Sequence, residues 1–486
     1  MNTGDRVFHR QLGWGTIQRI IQQGLKKVAC VDFGYIKDLF RTDELATTEE
    51  AKSPPLEKNA GSKDSEIQNG NEEGTRLISA SKDVKPPSLG TQPCEVGSQT
   101  EARRGVVALR LGQILESQIF QLSVGTGQLE ARLASLVEKA TRQELSFILV
   151  EGVWGGGKTH ALTLLQAIAR RAGFTTSSVV MDGLALALSE PMQLMEEILS
   201  ALVFPKDMGS QSLGDLMRNV VKSGKIPALK TKGASDIANL LEKVPMEVFD
   251  DAEALGHIQD YFSLSLSATQ AKQKLKQLGY NASRLPTIRV IRVEERTHAF
   301  CVLMRNWANL VSGVGFRGML VVLDELDVEY ASTAYADQVS AGRRERRKQL
   351  MLQMKEMTKQ RAPLIIAFAS APAGGDITPE HDAVEDILRI FGGAITHVKV
   401  PVPNQDELIK LFEKLNGIYS QAYPCSKELL TQSCLGSIMD NLLCRHRREL
   451  TSIPRQFVRS AIEALDLFAL CEKPFDEFIG LIGSKE

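Results

Sequence analysis

Hydrophobic positions fall into three regimes along the chain. Up to residue 46 they come in short β-branched runs between turn residues. Residues 6–9, 16–21, 27–33 and 37–40 read as strands, with Gly13, Trp14 and Gly15 as a tight turn. So many strands in so short a stretch predict a small SH3-like β-barrel over 1–46. Over 47–103 the pattern vanishes into Ser, Gly, Asn, Glu and Lys, with Pro54-Pro55 and Pro86-Pro87. Such a segment cannot bury enough surface to offset its ordering entropy, which predicts a disordered linker.

From Val106 onward two periodicities alternate. Leu129, Leu133 and Leu136 share one face of a helix predicted over 125–139. Residues 145–150 form a continuous apolar run, a buried strand, and 160–172 the helix after it. Further strands are expected at 178–181, 319–323, 364–369 and 397–400, and a charged helix at 342–358. Residues from about 190 to 312 read as mainly helical, with an insertion over about 205–295. This alternation predicts an α/β core over 104–402, a parallel sheet with helices on both faces, followed by a helical segment over 403–486.

The 486 residues are 43% apolar and 24% charged, ample for a large core. A net charge of -1 makes no global case for a polyanionic partner, so a nucleic-acid surface would have to be local. The seven cysteines form no CxxC pair and no zinc-like spacing, as expected of reduced thiols in a cytoplasmic protein. No apolar run approaches the roughly 18 residues of a membrane span, so no membrane is expected.

The loop after the first buried strand carries the chemistry. Gly152, Val153, Trp154, Gly155, Gly156, Gly157, Lys158 and Thr159 meet the spacing G-x-x-x-x-G-K-[ST] in full. Glycines let the backbone wrap with its N–H groups turned to phosphate oxygens. The lysine brings a cation to the β- and γ-phosphates, and the threonine hydroxyl is a Mg2+ ligand. The helix continuing through His160 adds the positive end of its dipole. Downstream, the apolar run 319–323 ends in Asp324 and Glu325. Beside such a loop, Asp324 would hold Mg2+, directly or through water, and Glu325 would polarise the attacking water. The acid pair favours a hydrolysing ATPase, with ATP and Mg2+ as cofactors. Asp327 and Glu329 read as caps of the next helix.

Four segments together resemble the ATP-binding proteins of BREX-type phage-defence systems. They are VVALRLGQILESQIFQLSV over 106–124, EGVWGGGKTH over 151–160, VVLDELD over 321–327 and SIPRQFVR over 452–459. The resemblance covers roughly residues 104–480, and its first and last segments are the more family-like. It implies an AAA+-like P-loop ATPase with a C-terminal helical lid over 403–486, working as a homo-oligomer with DNA and a helicase or other defence-operon protein. Shango-type defence is one candidate setting.

Within that resemblance Ser370, at the end of strand 364–369, stands where AAA+ ATPases keep a first sensor. Asn is commoner there, and a plain strand-end turn is the other reading. Arg389, near the end of a helix over 382–391, stands where an arginine finger would face a neighbouring subunit; the helix dipole also favours arginine at that place. Arg455 follows Pro454 in the first turn of a C-terminal helix and would reach the γ-phosphate as a second sensor. Asp182 would couple ligand binding to Glu325.

At the N-terminus, GDRVFHRQLGWGTI over 4–17 and VDFGYIKDLF over 31–40 resemble the tudor/SH3-like module of UvrD/PcrA-type helicases, and more loosely CarD-like modules. Such modules contact RNA polymerase or nucleic acid. Residues 1–44 carry seven Lys/Arg against five Asp/Glu, so both kinds of partner stay open, with Arg10, Trp14, Lys26 and Lys27 as contact candidates. The strongest basic cluster is Arg343, Arg344, Arg346, Arg347 and Lys348. It is either a phosphate-contacting patch with steep salt dependence or a solvated helix face. Three classes of function follow: an ATPase of phage defence, a nucleotide-gated assembly protein with little turnover, or a nucleic-acid adaptor built on 1–46.

Overall fold

The computed structural model describes strand backbone within residues 1–47, and residues 99–470 apart from 143, 206–211, 232, 289–292, 335–337, 373–381, 425–434, 437, 441 and 443–452. The chain divides into two units, Met1–Val107 with Tyr419–Thr431 and Leu465–Glu486, and Ala108–Ile418 with Gln432–Ala464.

The first unit holds strands β1 (Arg6–His9), β2 (Gly13–Gln23), β3 (Lys26–Asp32), β4 (Lys37–Arg41) and β5 (Ala46–Thr47). They form one antiparallel sheet in the order β4-β3-β2-β1-β5, with a register shift between Ile17 and Arg19. The turn expected at Gly13, Trp14 and Gly15 is corrected: these residues pair with His9, Phe8 and Val7 inside the sheet. The β-branched run of β2 extends backward through them, and glycine does not forbid extended backbone. The expected contact side chains Arg10, Trp14, Lys26 and Lys27 lie outside the described residues, as do residues 48–98 of the linker expected over 47–103; its Thr47 ends β5 and its 99–103 are helical.

Helix α1 (Gln99–Arg110) leads toward the second unit, where α2 (Ile119–Leu122) and α3 (Gly127–Thr141) precede β6 (Ser146–Glu151) and α4 (Lys158–Arg171). After β7 (Phe174–Val180) come helices α5 (Pro191–Ser200), α6 (Leu213–Lys222), α7 (Ile226–Thr231), α8 (Ser235–Leu241), α9 (Ala252–Phe262), α10 (Ala268–Gln277) and α11 (Val293–Gly313). Then follow β8 (Gly318–Asp324), α12 (Leu326–Ser332), α13 (Gln338–Met357), β9 (Leu364–Ser370), α14 (Ala383–Phe391) and β10 (Ile395–Lys399). Helices α15 (Gln405–Ala422) and α16 (Ile453–Leu470) close the described chain.

β6 to β10 form one parallel sheet in the order β10-β6-β9-β8-β7. Alternation along each strand feeds two cores. Ile148, Val150, Leu320, Val322, Ile365 and Ala367 pack with Leu133, Leu136, Leu162 and Leu165 of α3 and α4. Phe147, Leu149, Val321, Leu323, Ile366 and Phe368 pack on the other face with α5, α11, α13 and α14. There Phe147 and Phe391 have ring centroids 4.7 Å apart. The strand expected at 178–181 begins earlier, at Phe174. Its first half is polar, but Thr175, Thr176 and Ser177 are buried with partners: Thr175 and Ser177 donate to the carbonyls of Gly318 and Ile198, and Thr176 accepts from Arg170.

Parallel strands all end on the same side. The ends of β6, β8 and β9 therefore bring Gly152, Asp324 and Ser370 to one edge, although β9 separates the other two strands.

Candidate functional site

The loop between β6 and α4 is clamped at its start. Gly152 N–H donates to the Ser370 carbonyl at 3.3 Å, and Val400 N–H to the Glu151 carbonyl at 2.8 Å. Gly155 and Gly157 take left-handed backbone, φ 72° and 99°, which side chains resist. A Cβ on Gly156 would fall 2.9 Å from the Val153 carbonyl oxygen. The loop thus has a shape that only glycines at these positions permit.

Lys158 opens α4 and folds back into the loop. Its Nζ donates to the Gly152 carbonyl at 3.0 Å. Burial lowers its pKa; the carboxylates of Asp327, Asp324 and Glu325 oppose this, while the Arg455 guanidinium adds to it. The charges of three acids and of Arg455 are therefore felt at Lys158. Thr159 Oγ1 donates to Asp324 Oδ2 at 3.0 Å. Asp324 is buried, which raises its pKa against the opposing bonds from Thr159 and the Glu325 N–H. Glu325 sits at φ 59°, ψ 40°, a strained position for a residue with a Cβ. Its N–H donates to Asp324 Oδ1 at 2.9 Å.

The other expected site residues are placed as follows. Val153 and Trp154 are exposed at the loop apex, the indole at 67%. The His160 ring bonds Ser123 Oγ at 2.9 Å. The Ser370 hydroxyl is buried and donates to the adjacent Ala371 carbonyl at 3.1 Å. Arg389, 54% exposed, pairs with Asp386 on its own helix at 2.5 Å. The Arg455 side chain passes Gly112, whose φ of +71° marks a tight turn in the leucine-rich segment. Asp182 accepts from the N–H groups of Leu184 and Leu186, at 2.7 and 2.9 Å, so its carboxylate organises its own loop.

Two acids differ from their expected role as helix caps. Asp327 Oδ1 accepts the Ala371 N–H at 3.2 Å, tying α12 to the end of β9, and its charge acts on Lys158. Glu329 is fully buried and accepts from the N–H groups of Leu188 and Ser189, at 2.7 and 3.1 Å. The spacing D-E-L-D was the one available signal for Asp327.

The four arginines of the basic run on α13 have partners inside the fold, while Lys348 is exposed. Arg343 donates to the Gly183 carbonyl at 3.4 Å and Arg344 to the Thr333 carbonyl at 2.5 Å. Arg346 donates to the Ser189 carbonyl and pairs with Glu190 at 3.2 Å. Arg347 is buried, stacks 3.5 Å over the Tyr330 ring and donates to Thr333 Oγ1. Helix α13 uses these side chains to hold α12 and the loop after β7.

A glycine cradle, a lysine inside it and a threonine–aspartate pair at its base suit a magnesium–nucleotide complex. The family model of the BREX system ATP-binding protein BrxC/D matches residues 98–373, more than half of the chain. The chain belongs to this family. In this BREX ATP-binding protein the match includes the loop, Asp324, Glu325 and Ser370, and stops before Arg389 and Arg455. It leaves out the N-terminal strands. No curated protein matches the chain. A solved chain of the E. coli MS115-1 HORMA:CdnC:Trip13 complex is similar at 11% identity, over 74% of this chain and 93% of that one, with a TM-score of 0.31. Among the described residues no helix is long and apolar enough to cross a membrane.

Proposed function

We propose that this BREX-family protein binds MgATP at the 152–159 loop and hydrolyses it. The carrying observation is the Thr159–Asp324 contact at 3.0 Å, with Glu325 next in the chain. Loop N–H groups and Lys158 bind and orient the phosphates. Lys158 exchanges its carbonyl partner for phosphate oxygens. Thr159 and Asp324 would hold Mg2+, which when bound neutralises charge on the transferring phosphoryl group. Glu325 orients the attacking water and accepts its proton. Arg455 lies near enough to Lys158 to add positive charge beside the γ-phosphate, and Arg389 is offered to a neighbouring subunit. Residues 403–486 act as the lid.

The BREX setting supports work in phage defence, as a homo-oligomer with DNA and a helicase or another operon-encoded protein. The arginine run adds nothing to the DNA case, because four of its arginines have partners inside the fold. The N-terminal strands are the remaining candidate for recruiting a partner.

A second reading, a nucleotide-gated assembly protein with slow turnover, is favoured by one observation. The Ser370 hydroxyl is buried and its proton is donated to its neighbour's carbonyl, so it is not directed at a γ-phosphate or an attacking water. Glu325→Gln and Lys158→Ala separate the two. For a hydrolase, Glu325→Gln binds ATP and loses turnover and defence, and Lys158→Ala loses both binding and turnover. For the slow switch, Glu325→Gln keeps defence. Turnover is measured on mass-resolved oligomers with single-stranded, double-stranded and no DNA; no turnover in any arm excludes the hydrolase.

A further inference from the structure

Between α2 and α3 lies a short turn, Ser123, Val124 and Gly125, that touches the helix after the phosphate loop and the first C-terminal helix. Ser123 is buried. Its hydroxyl has one proton, donated to the Ile119 carbonyl at 2.8 Å. The 2.9 Å bond to His160 Nε2 is therefore donated by the imidazole. His160 is the neighbour of Thr159 in the first turn of α4.

The same turn is gripped by α15 at two points. Lys414 Nζ donates to the Ser123 carbonyl at 3.0 Å. Lys414 is partly buried, which lowers its pKa, and the Glu130 carboxylate opposes that shift. At the start of α15 the Glu407 carboxyl lies against Gly125, where a Cβ would be 2.1 Å from Oε1. Glu407 is fixed there by a reciprocal cap. Asn404 N–H donates to Glu407 Oε2 at 2.8 Å, and Glu407 N–H to Asn404 Oδ1 at 3.0 Å. Only glycine suits position 125, with φ +68° and the Glu407 carboxyl against it.

We propose that Ser123 and Lys414 are positioning residues of the nucleotide site: they join α15 to the first turn of α4, so that the placement of Thr159 depends on where α15 stands. The inference rests on the MgATP reading above and names what sets the geometry of its metal ligand. The partly buried Lys414 ammonium is directed at a carbonyl of this one turn.

The experiment compares the full chain with Ser123→Ala, Lys414→Met, the double variant and Lys414→Arg. ATP affinity is read from Trp154 emission, with Mg2+ and with EDTA, beside turnover and melting temperature. Expected is a roughly tenfold weaker affinity with Mg2+, about 1.4 kcal/mol, and a smaller change in EDTA, because Thr159 acts through the metal. The double variant should equal the worse single one, since both cut one connection, and Lys414→Arg should recover most of the loss. Single effects that multiply, equal losses with and without Mg2+, or unchanged affinity beside a lowered melting temperature would overturn the proposal. A wild type without any response to ATP, matching Lys158→Ala, removes the nucleotide reading itself. A responding wild type with unaffected variants removes only this coupling.

Discussion

Thr159 Oγ1 and Asp324 Oδ2 stand 3.0 Å apart, although a whole strand, β9, lies between the strands that lead to them. The contact exists because β6, β8 and β9 run parallel and end together. Thr159→Val keeps the shape of the side chain and removes the oxygen. It should lower Mg2+-dependent ATP affinity by at least about tenfold, as losses around metal ligands do, and leave affinity in EDTA near wild type. Titration with and without metal tests this; equal loss in both conditions counts against a metal role for Thr159.

Trp154 gives the site an optical signal. The sequence holds three tryptophans; Trp154 is 67% exposed on the loop and Trp307 is buried at 1%. MgATP should shift Trp154 emission and reduce its quenching by iodide, and Trp154→Phe should abolish both changes. A nucleotide response that survives Trp154→Phe would place the reporter elsewhere.

Arg347 is buried against Tyr330 and donates to Thr333 Oγ1; burial raises the Glu329 pKa, and the Arg347 charge opposes that rise. Arg347→Ala removes the ring contact and leaves the Thr333 hydroxyl without its donor. It should cost at least about 1 kcal/mol in urea unfolding. Because Glu329 also holds the loop at Leu188 and Ser189, Glu329→Gln should free that loop to faster hydrogen exchange. Wild-type stability of Arg347→Ala would mean that these contacts contribute nothing.

His160 sets a pH dependence of stability. Burial pushes its pKa down to about 4 from an unfolded value of 6.5. The folded state therefore binds this proton less readily than the unfolded one. Its contribution is complete above pH 6.5 and is lost as pH falls toward 4, at no more than about 1.4 kcal/mol per pH unit. His160→Asn should flatten that acid limb relative to wild type. Parallel curves for the two proteins would show that the imidazole does not carry it.

The sequence made the site's centre legible because phosphate chemistry fixes residue types at fixed spacing. Gly152 to Thr159, and Asp324 with Glu325, needed no tertiary information. Strands 319–323 and 364–369 were legible because both faces are buried, leaving unbroken apolar runs. The start of β7 was hidden because Thr175, Thr176 and Ser177 satisfy their hydroxyls inside the core. The arginine run misled for a related reason. Charge in a sequence does not say whether its partner is solvent, phosphate or a carbonyl of a distant loop. The roles of Asp327, read only as a helix cap, and of Ser123 were hidden because their partners, Ala371 and His160, come from other elements.

The burial of Glu329 also bears on how the chain reaches this fold. The carboxylate is separated by 141 residues from the Leu188 N–H that it accepts, and Arg347 comes from the helix after its own. A buried carboxyl group needs its hydrogen-bond partners in place. Contacts that close so long a stretch of chain come with a large entropic cost and form late. Helix α12 is therefore expected to settle late, after the helices between β7 and β8 have gathered, with Glu325, one residue ahead of it, among the last parts of the sheet edge to be protected in pulse-labelled hydrogen exchange.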